Sequence, residues 1–559
     1  MIKRMDKITT LVEMLNSAAR CTDDTEEKSI CVIEKKGDCV KISYAELRER
    51  ALKVARKLKF RGLKKGDKVI FQIADTMSFI TLFWGCIYAG IIPVPLSVPI
   101  HQSEQAQAFK KVQNVLKLMD GASIFVQNYL QDFYKKLLGK HSERIICVED
   151  FLYDVEEFDI IEDQHVEAQD IAIIQFSSGS TGLPKGVVLR HRNLIANIRQ
   201  ITDSIDCDLN MESCSWMPLT HDFALIGFHF SPIWTKSSQT LISTQFFLRY
   251  PIEYLKYISD KQIEFTGFPN FALEWIMKFS TPKNLKGIDL SNINGILTGA
   301  EPINCETIKR FIHIFSNYGL KETTMISSYG MSEACLGVAI SDGQSFKTIT
   351  LDFVSFTKHN IVKCAEGEKD TITFAKVGKP LPKVEMIVIN ENEEILGEYI
   401  VGEICIKGPN VMESYFHGNS SDTFTSEGYL KTGDLGFFCD GEIVVTGRKK
   451  DIIFKNGANY YYHDIEKMVE DIVSELRGRV AVFQIERKGS KGSELVLFLK
   501  IDLSKEEFCH LKEKINQSMI KRLSWTVDKI VLIQEIPKTI SGKIQRYRLK
   551  EYYEDVQSV

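Results

Sequence analysis

The sequence has neither cysteines at metal-binding spacing nor a large excess of one charge. No C-x-x-C pair occurs among its 13 cysteines, so a zinc ribbon is not supported. The 70 lysines and arginines nearly balance the 74 acidic residues. The resulting net charge of −4 gives no general attraction to nucleic acid or to anionic membranes. We therefore predict no nucleic-acid partner.

A long membrane-spanning run is also missing. Between Thr76 and Ser103 no acidic residue, Lys or Arg occurs, but Gly90 and Pro93 end the helical part after about 14 residues, whereas a span needs about 20. The stretch is therefore predicted to be a buried helix. The N-terminal segment carries Asp6 and Glu13 and does not resemble a signal peptide. With cysteines scattered through both halves, this predicts a cytoplasmic protein with unpaired thiols.

The hydrophobic pattern predicts an α/β fold. A chain of 559 residues is long enough for two to four domains. Short apolar runs such as Lys68–Gln72 and Ile171–Phe176 alternate with helical segments such as Ser78–Ala89, which is typical of mainly parallel sheets. After about residue 375 the strands become shorter and turns separate them, which predicts a β-rich subdomain. The last ~110 residues are enough for a small α+β domain.

The segment Ser177–Gly186 (SSGSTGLPKG) combines glycines with hydroxylated residues directly after an apolar strand. Small residues let the backbone N–H groups approach an oligophosphate, and Lys185 adds a positive charge. It is not a Walker loop, because position 184 is proline. A glycine-rich hairpin without a ligand fits the segment almost as well. The residues predicted to bind the nucleotide here are Ser178, Gly179, Ser180, Thr181, Gly182 and Lys185.

This loop resembles the phosphate loop of the adenylate-forming superfamily, which includes acyl-CoA synthetases, luciferases and peptide-synthetase adenylation domains. Four further motifs of that superfamily follow in its order: Ser328–Glu333, Tyr429–Gly436, Gly447–Asp451 and Ile540–Lys543. Each one alone also fits a surface turn. Their common order from residue 177 to residue 543 makes coincidence negligible.

The resemblance implies a nucleotide site that binds ATP and Mg²⁺. Tyr329 would stack on the adenine, Ser332 would bond the α-phosphate and Glu333 would hold Mg²⁺. Asp434 would take both ribose hydroxyls, and Arg448 would contact ribose and phosphate. The turn that follows a predicted strand at residues 293–297 adds Gly299 and Ala300 to the nucleotide site.

The remaining motifs imply a mobile C-terminal domain. Lys543 would reach the substrate carboxylate and the α-phosphate as a catalytic residue, and Lys450 would be the hinge. We therefore expect an N-terminal adenylation domain over residues 1–447, a hinge at about 448–450 and a small mobile domain over residues 451–559.

The stretch Trp216–Gly227 (WMPLTHDFALIG) resembles a motif of fatty acyl-AMP ligases. These enzymes adenylate a carboxylic acid and pass it to an acyl carrier protein rather than to coenzyme A. His221 is predicted to be catalytic, the alternative being a buried structural histidine. Trp216, Phe223 and Ile226 are predicted to line the acyl pocket, although Phe223 and Ala224 replace the usual Met-Gly of the motif.

A second mark of these ligases is an insertion. Glu333 and Gly378 lie 45 positions apart, more than in ordinary acyl-CoA synthetases. We expect residues of about 343–376 to pack on the N-terminal domain and to oppose rotation of the C-terminal one. The alternative is a neutral surface loop.

Three functions are compatible with the sequence. The favoured one is ATP-dependent formation of acyl-AMP and transfer of the acyl group to the phosphopantetheine thiol of a carrier protein, for which the basic segment 521–550 offers a docking face. An exposed basic surface without a partner would explain the charges of that segment nearly as well. The runner-up is an acyl-CoA synthetase. A catalytically silent acyl- or nucleotide-binding protein is disfavoured, because Lys543, Glu333 and Asp434 are all present.

Overall fold

The structure is a computed structural model that describes residues 7–20, 28–98, 102–119, 121–153, 165–177, 185–205, 211–359, 361–367, 370–418, 422–455, 458–486, 493–538 and 544–557. Its largest element is a nine-stranded sheet whose six central strands run parallel. In sheet order the strands are Lys379–Pro380, Gly337–Ile340, Met325–Gly330, Gly295–Thr298, Phe265–Gly267, Ser213–Ser215, Gln239–Ile242, Ser29–Ile33 and Val40–Ser43.

Apolar residues of neighbouring strands meet in register, as Leu297 does with Ile326, and helices cover the sheet. The helices in this part of the chain are Leu11–Ala19, His191–Ser204, Ser231–Thr235, Thr244–Arg249, Pro251–Asp260, Asn270–Phe279 and Cys305–Phe315, together with a π-helix over Phe223–Phe230. The mainly parallel α/β architecture predicted from the sequence is confirmed.

A second, wholly parallel sheet has the strand order Ile92–Pro95, Lys68–Gln72, Ser123–Val126 and Ile145–Cys147. The helices nearest to it in sequence are Tyr44–Phe60, Thr76–Ala89, Gln102–Leu118, Asn128–Leu138 and Val148–Tyr153. Helix Thr76–Ala89 is the helical part of the uncharged stretch between Thr76 and Ser103, and most of its residues are buried, as predicted. Its first turn is capped by Asp75, which accepts from the Ser78 N–H at 2.7 Å, and Gly90 ends it at φ 68°. No helix in the described ranges is long and apolar enough to cross a bilayer.

The strand before the glycine-rich segment differs from the expectation of a parallel pair. Ile171–Ser177 pairs antiparallel with Lys185–Arg190, and Tyr415–Phe416 completes this three-stranded sheet. Both faces of the first strand are nevertheless covered. Ile173 packs into the core of the large sheet, whereas Ile174 packs into the core of the four-stranded parallel sheet. Burial on two sides, rather than parallel pairing, explains the unbroken apolar run.

The β-rich part and the C-terminal part follow the predicted order. An antiparallel sheet contains Glu385–Ile389, Gly402–Lys407, Leu430–Cys439 and Glu442–Arg448. The insertion forms a hairpin of Thr348–Asp352 and Thr371–Ala375 with helix Phe353–His359 between them. Beyond residue 451 the strands are Ile452–Lys455, Ala458–Tyr461, Val480–Glu486, Ser493–Leu499 and Lys529–Leu532, and the helices are Tyr462–Ile472, Lys505–Leu523 and Arg546–Gln557.

One expectation about the cysteines is wrong. Cys31 on the second-to-last strand of the large sheet is disulfide-bonded to Cys39 in the loop that follows. The sequence offered no reason to pair them, because the contact depends on the antiparallel turn between Ser29–Ile33 and Val40–Ser43. The remaining cysteines within the described ranges are free.

Candidate active site

One large cleft of about 2270 Å³ lies where the parallel strands of the nine-stranded sheet, the β-rich sheet and the C-terminal part of the chain meet. Strands Gly295–Thr298 and Met325–Gly330 end at it, as expected for an α/β sheet. The structure brings most of the predicted site residues to its wall: Lys185, His221, Phe223, Ala300, Tyr329, Ser332, Glu333, Asp434, Arg448 and Lys450.

Some of the predicted residues lie outside the described residues: Ser178, Gly179, Ser180, Thr181, Gly182 and Lys543. The backbone of Gly299 packs against that of Ser328, since a Cβ at residue 299 would lie 2.6 Å from the Ser328 carbonyl oxygen. Ala300 then adopts φ 68°, which turns the chain into the cleft.

A buried carboxylate forms one end of the cleft. Asp434, only 6% exposed, accepts a hydrogen bond from the Tyr329 hydroxyl at 2.9 Å and one from Arg448 Nε at 3.1 Å. Burial raises the pKa of the Asp434 carboxyl, while Arg448 opposes that rise. In turn Asp434 raises the pKa of the Arg448 guanidinium. The two side chains from separate motifs therefore form one charge-paired unit with a tyrosine ring beside it.

A second carboxylate lies on the same wall. Glu333 sits in the 3₁₀ turn Ser332–Ala334 and accepts from the Tyr415 hydroxyl at 2.8 Å. Tyr415 belongs to the strand that pairs with Lys185–Arg190, and Lys185 Nζ lies 5.0 Å from the centre of its ring. Glu333 is close enough to Asp434 to raise the pKa of that carboxyl further. Tyr415 thus connects the strand after the glycine-rich segment to the predicted metal ligand.

The third polar cluster contains Ser332, Asp222 and His221. The Ser332 hydroxyl donates to Asp222 Oδ2 at 2.6 Å, and His221 Nδ1 lies 2.7 Å from Asp222 Oδ1. His221 is therefore no isolated core histidine, because its ring also lines the cleft. The fully buried histidine of this region is His229, which receives the Trp84 indole N–H at 3.0 Å.

The predicted acyl-pocket residues lie at different depths. Phe223 reaches the wall of the cleft. Trp216 is fully buried behind it, where it stacks on Phe247 with 4.0 Å between ring centres and donates to the Gly267 carbonyl at 3.1 Å. Ile226 is also fully buried, inside the π-helix. Contact of Trp216 and Ile226 with a substrate stays a prediction.

Lys450 sits in a short 3₁₀ turn, Lys449–Asp451, between the last strand of the β-rich sheet and strand Ile452–Lys455. Burial and the neighbouring Arg448 both lower the pKa of its ammonium group. The position agrees with a connection between two domains, and its role as a hinge stays a prediction.

The insertion contacts both sides of this connection. Ile349, Leu351 and Phe374 pack with Phe437 and Val444 of the β-rich sheet. Phe353 instead belongs to the core of the C-terminal part. Its neighbour Val354 is 41% exposed.

Two interactions of Arg522 hold this contact. The Arg522 guanidinium lies 5.0 Å from the centre of the Phe353 ring and donates to the Thr371 carbonyl at 3.1 Å. The Tyr460 ring lies against Phe353 with 6.4 Å between centres. The insertion therefore packs on the N-terminal part, as expected, but also inserts one aromatic side chain into the C-terminal part.

Several basic residues of segment 521–550 already have partners in the chain. Arg522 bonds the insertion, Lys529 pairs with Glu494 at 3.3 Å and Lys538 donates to the Gly478 carbonyl at 2.9 Å. Arg546 is held by two bonds to Glu466. A docking face for a partner would accordingly rest on the other basic residues of the segment, such as Lys521 and Lys550.

Replacing Glu466 by alanine is expected to lower the free energy of unfolding of the C-terminal part by about 3–5 kcal/mol. Glu466 is 7% exposed, and its loss would leave Arg546 without its ion-pair partner and the Val482 N–H without its acceptor at 2.8 Å. Hydrogen exchange of the backbone amides in the C-terminal part, followed by mass spectrometry at increasing denaturant, measures this. Glu513→Ala, at an exposed position of helix Lys505–Leu523, is the control, and an equal small change in both variants would contradict the prediction.

Sequence reasoning missed two residues of the site. Asp222 stands inside the motif that contains His221, so its position was visible, but nothing in the sequence indicated that it reaches Ser332 across 110 residues. Tyr415 belongs to no motif, and only the strand pairing brings it to Glu333.

The sequence profile of the AMP-binding enzyme family matches residues 19–416, well over half of the chain. With the fold and the cleft described above, the chain belongs to this family.

Three relatives match nearly the whole chain. A putative acyl-CoA synthetase of Caulobacter vibrioides is 30% identical over 97% of this chain and 95% of its own length. The long-chain-fatty-acid–AMP ligase FadD26 of Mycobacterium bovis is 29% identical over 93% of this chain and 92% of its own. The medium-chain-fatty-acid–[acyl-carrier-protein] ligase JamA of Moorena producens is 29% identical over 90% of this chain and 88% of its own length.

A solved structure from studies of fatty acyl-adenylate ligases of E. coli and L. pneumophila superimposes with a TM-score of 0.90. It is 29% identical and covers 99% of both chains. The similarity therefore extends over the whole length described, including the insertion and the C-terminal part.

Proposed function

We propose that this protein activates a fatty or related carboxylic acid as acyl-AMP and transfers the acyl group to the phosphopantetheine thiol of an acyl carrier protein. The observation that carries the proposal is the convergence of three separate motifs on one cleft: Tyr329, Asp434 and Arg448 form one charge-paired unit beside Glu333. The relatives named for fatty acid–AMP ligation and carrier loading support the same activity.

Within this proposal each group has a defined task. Tyr329 offers a ring for the adenine, and the free lone pairs of Asp434 accept from the ribose hydroxyls. Ser332 and His221 lie on the wall next to them and face the α-phosphate and the acid. Lys185 neutralises phosphate charge from the strand behind the glycine-rich segment. Holding two anionic reactants in line supplies a large share of the rate acceleration.

Glu333 suits a Mg²⁺ ion. Its carboxylate faces the cleft with Tyr415 as its hydrogen-bond donor, and Mg²⁺ commonly binds one or two carboxylates together with substrate phosphates and waters. Among the described residues no cluster of three or more His, Cys, Asp or Glu could hold a metal by itself, which agrees with an ion that arrives with the nucleotide. The ion would screen charge on the phosphates.

The proposed reaction has two steps. A carboxylate oxygen of the acid attacks the α-phosphorus of ATP, the bond to the bridging oxygen breaks and pyrophosphate leaves. After the domain over residues 451–559 has rotated about Lys450, the phosphopantetheine sulfur attacks the acyl carbon. AMP leaves, and the thiol gives up its proton.

The test of the proposal has two stages. The protein is incubated with ATP, Mg²⁺ and a panel of acids, and acyl-AMP is measured by mass spectrometry. Coenzyme A or a phosphopantetheinylated carrier protein is then added. We expect acyl-AMP to persist with coenzyme A and to be consumed by the carrier. Rapid formation of acyl-CoA would support the acyl-CoA synthetase alternative, and no acyl-AMP from any acid would reject adenylation.

Phe353→Ala is expected to raise acyl-CoA formation by about tenfold, without raising acyl-AMP formation. The Phe353 ring lies in the C-terminal core, while Ile349, Leu351 and Phe374 of the insertion pack with Phe437 and Val444 of the β-rich sheet, so the insertion favours the present domain pose. Truncating a buried Phe costs about 3–5 kcal/mol in packing. Part of this loss destabilises only the present arrangement of the two domains and not the rotated one. The measurement is the ratio of the acyl-CoA rate to the acyl-AMP rate.

Val354→Ala is the matched control, because this neighbouring residue is largely exposed. An unchanged ratio in Phe353→Ala, or the same change in both variants, would contradict a role for the insertion in acceptor choice.

A further inference from the structure

Asp222 joins two motifs of the cleft that lie far apart in sequence. Its Oδ2 accepts the Ser332 hydroxyl at 2.6 Å, and its Oδ1 lies 2.7 Å from His221 Nδ1 and 2.8 Å from the Phe223 N–H. The residue is 8% exposed. Neither the superfamily motifs nor the sequence reasoning gives it a role.

The distances define where the proton of the His221 ring lies. His221 Nδ1 lies 2.7 Å from Asp222 Oδ1 and 3.2 Å from the Phe223 nitrogen, whose N–H also bonds Asp222 Oδ1 at 2.8 Å. A bare ring nitrogen and an ionised carboxylate repel each other at such a distance, so we place the ring proton on Nδ1, and Nε2 is then the position left for a ligand. Nε2 makes no hydrogen bond within the described part of the chain, and the side chain, 22% exposed, lines the cleft.

Asp222 and Ser332 both lie at the start of a less common type of helix. Asp222 directly precedes the π-helix Phe223–Phe230, a conformation that is rare and concentrates at functional sites. Ser332 begins the 3₁₀ turn that carries Glu333. One carboxylate therefore fixes the position of the two backbone segments that present a ring nitrogen and a hydroxyl to the cleft.

We propose that Asp222 is a positioning residue for acyl-AMP formation: it holds the His221 ring with Nε2 facing the cleft and holds the Ser332 hydroxyl in place. This rests on the proposed function. Ser332 has a single proton, so it donates either to Asp222 or to a bound α-phosphate. Binding of the nucleotide exchanges one anionic acceptor for another, with no rotation of the backbone.

The experiment compares wild type with Asp222→Ala, Asp222→Ser and Asp222→Asn. In protein labelled with ¹⁵N at histidine, the His221 signals, assigned with His221→Gln, report which ring nitrogen carries the proton. We expect Nδ1–H in wild type and Nε2–H in Asp222→Ala and Asp222→Ser. The kcat of acid-dependent ATP–pyrophosphate exchange should fall about 100-fold in Asp222→Ala, with the KM for ATP changed less than about threefold.

The serine variant separates positioning from helix capping. Serine caps helices nearly as well as aspartate, so it keeps the bond to the Phe223 N–H but does not reach the His221 ring. Wild-type rate and ring protonation in Asp222→Ser would overturn the proposal. Asparagine keeps an acceptor for Nδ1–H. The kcat of Asp222→Asn should therefore be at least about tenfold higher than that of Asp222→Ala. Equal rates in Asp222→Asn and Asp222→Ala would also overturn it.

Failure of the proposed function can be distinguished from failure of the role proposed for Asp222. If wild type forms no acyl-AMP, adenylation is rejected, whereas the ring protonation measured without substrate still tests the pair of Asp222 and His221. Thermal unfolding midpoints show whether each variant is folded.

Discussion

Lys543→Ala is expected to reduce acyl-AMP formation by about a thousandfold while the protein stays folded. Both reactants carry negative charge where they meet, and a lysine ammonium at that point stabilises the transition state more than either reactant alone. Lys543 belongs to the Ser-Gly-Lys motif, which lies outside the described residues.

The chain on either side of this motif shows where it belongs. Lys538 and Ile544 form an antiparallel bridge, and the Gln545 N–H donates to the Pro537 carbonyl at 2.7 Å. These four residues line the cleft. Arg546, which follows, is fixed by Glu466. The described residues on both sides of the motif therefore line the same cleft as Glu333 and Asp434.

The measurement is acyl-AMP formed in a single turnover, followed by mass spectrometry. Lys550→Ala removes the same charge from an exposed position of helix Arg546–Gln557 and should keep the wild-type rate. A Lys543→Ala rate within a few-fold of the control would show that Lys543 is not catalytic.

Asp434→Ala is expected to raise the KM for ATP by at least about 100-fold, because two hydrogen bonds from the ribose to a charged group are worth about 1.5–3 kcal/mol each. The same change removes the acceptor of the Tyr329 hydroxyl and the ion-pair partner of Arg448. The KM for the acid should change far less, since the contact proposed for Asp434 is with the ribose of ATP and not with the acid. Initial rates at varied ATP and acid measure both constants.

Tyr329→Phe is the matched control for this prediction. It removes the hydroxyl that donates to Asp434 at 2.9 Å but keeps the ring and the carboxylate, so the KM for ATP should rise less than about tenfold. An equal effect of both substitutions would mean that Asp434 acts only through Tyr329, and an unchanged KM in Asp434→Ala would reject its assignment to the ribose.

The sequence was sufficient where a local signal determines the structure. Helix Thr76–Ala89 is marked by an aspartate before it and a glycine after it, and its end at Ala89 was predicted correctly. Strand Lys68–Gln72 was predicted with its observed bounds, since a short apolar run leaves little choice. The order of the site motifs likewise needs only the sequence.

Contacts across long separations could not be predicted in this way. Asp222 and Ser332 meet although 110 positions separate them, and no residue pattern in the sequence records that contact. The same holds for Tyr415 and Glu333. The antiparallel pairing of Ile171–Ser177 was missed because burial on both faces gives the same apolar run in either orientation.

The position of Phe353 shows that the C-terminal domain predicted to begin at residue 451 packs with a side chain from before that boundary. Its ring completes a core formed by Tyr460, Trp525 and their neighbours, although it lies 107 positions before Tyr460 and 172 before Trp525 in the sequence. A recombinant fragment cut at residue 451 would lack this side chain and expose an apolar recess to water. Dissection of the protein into pieces for binding studies would therefore need the insertion supplied with the C-terminal fragment, or a polar redesign of that recess.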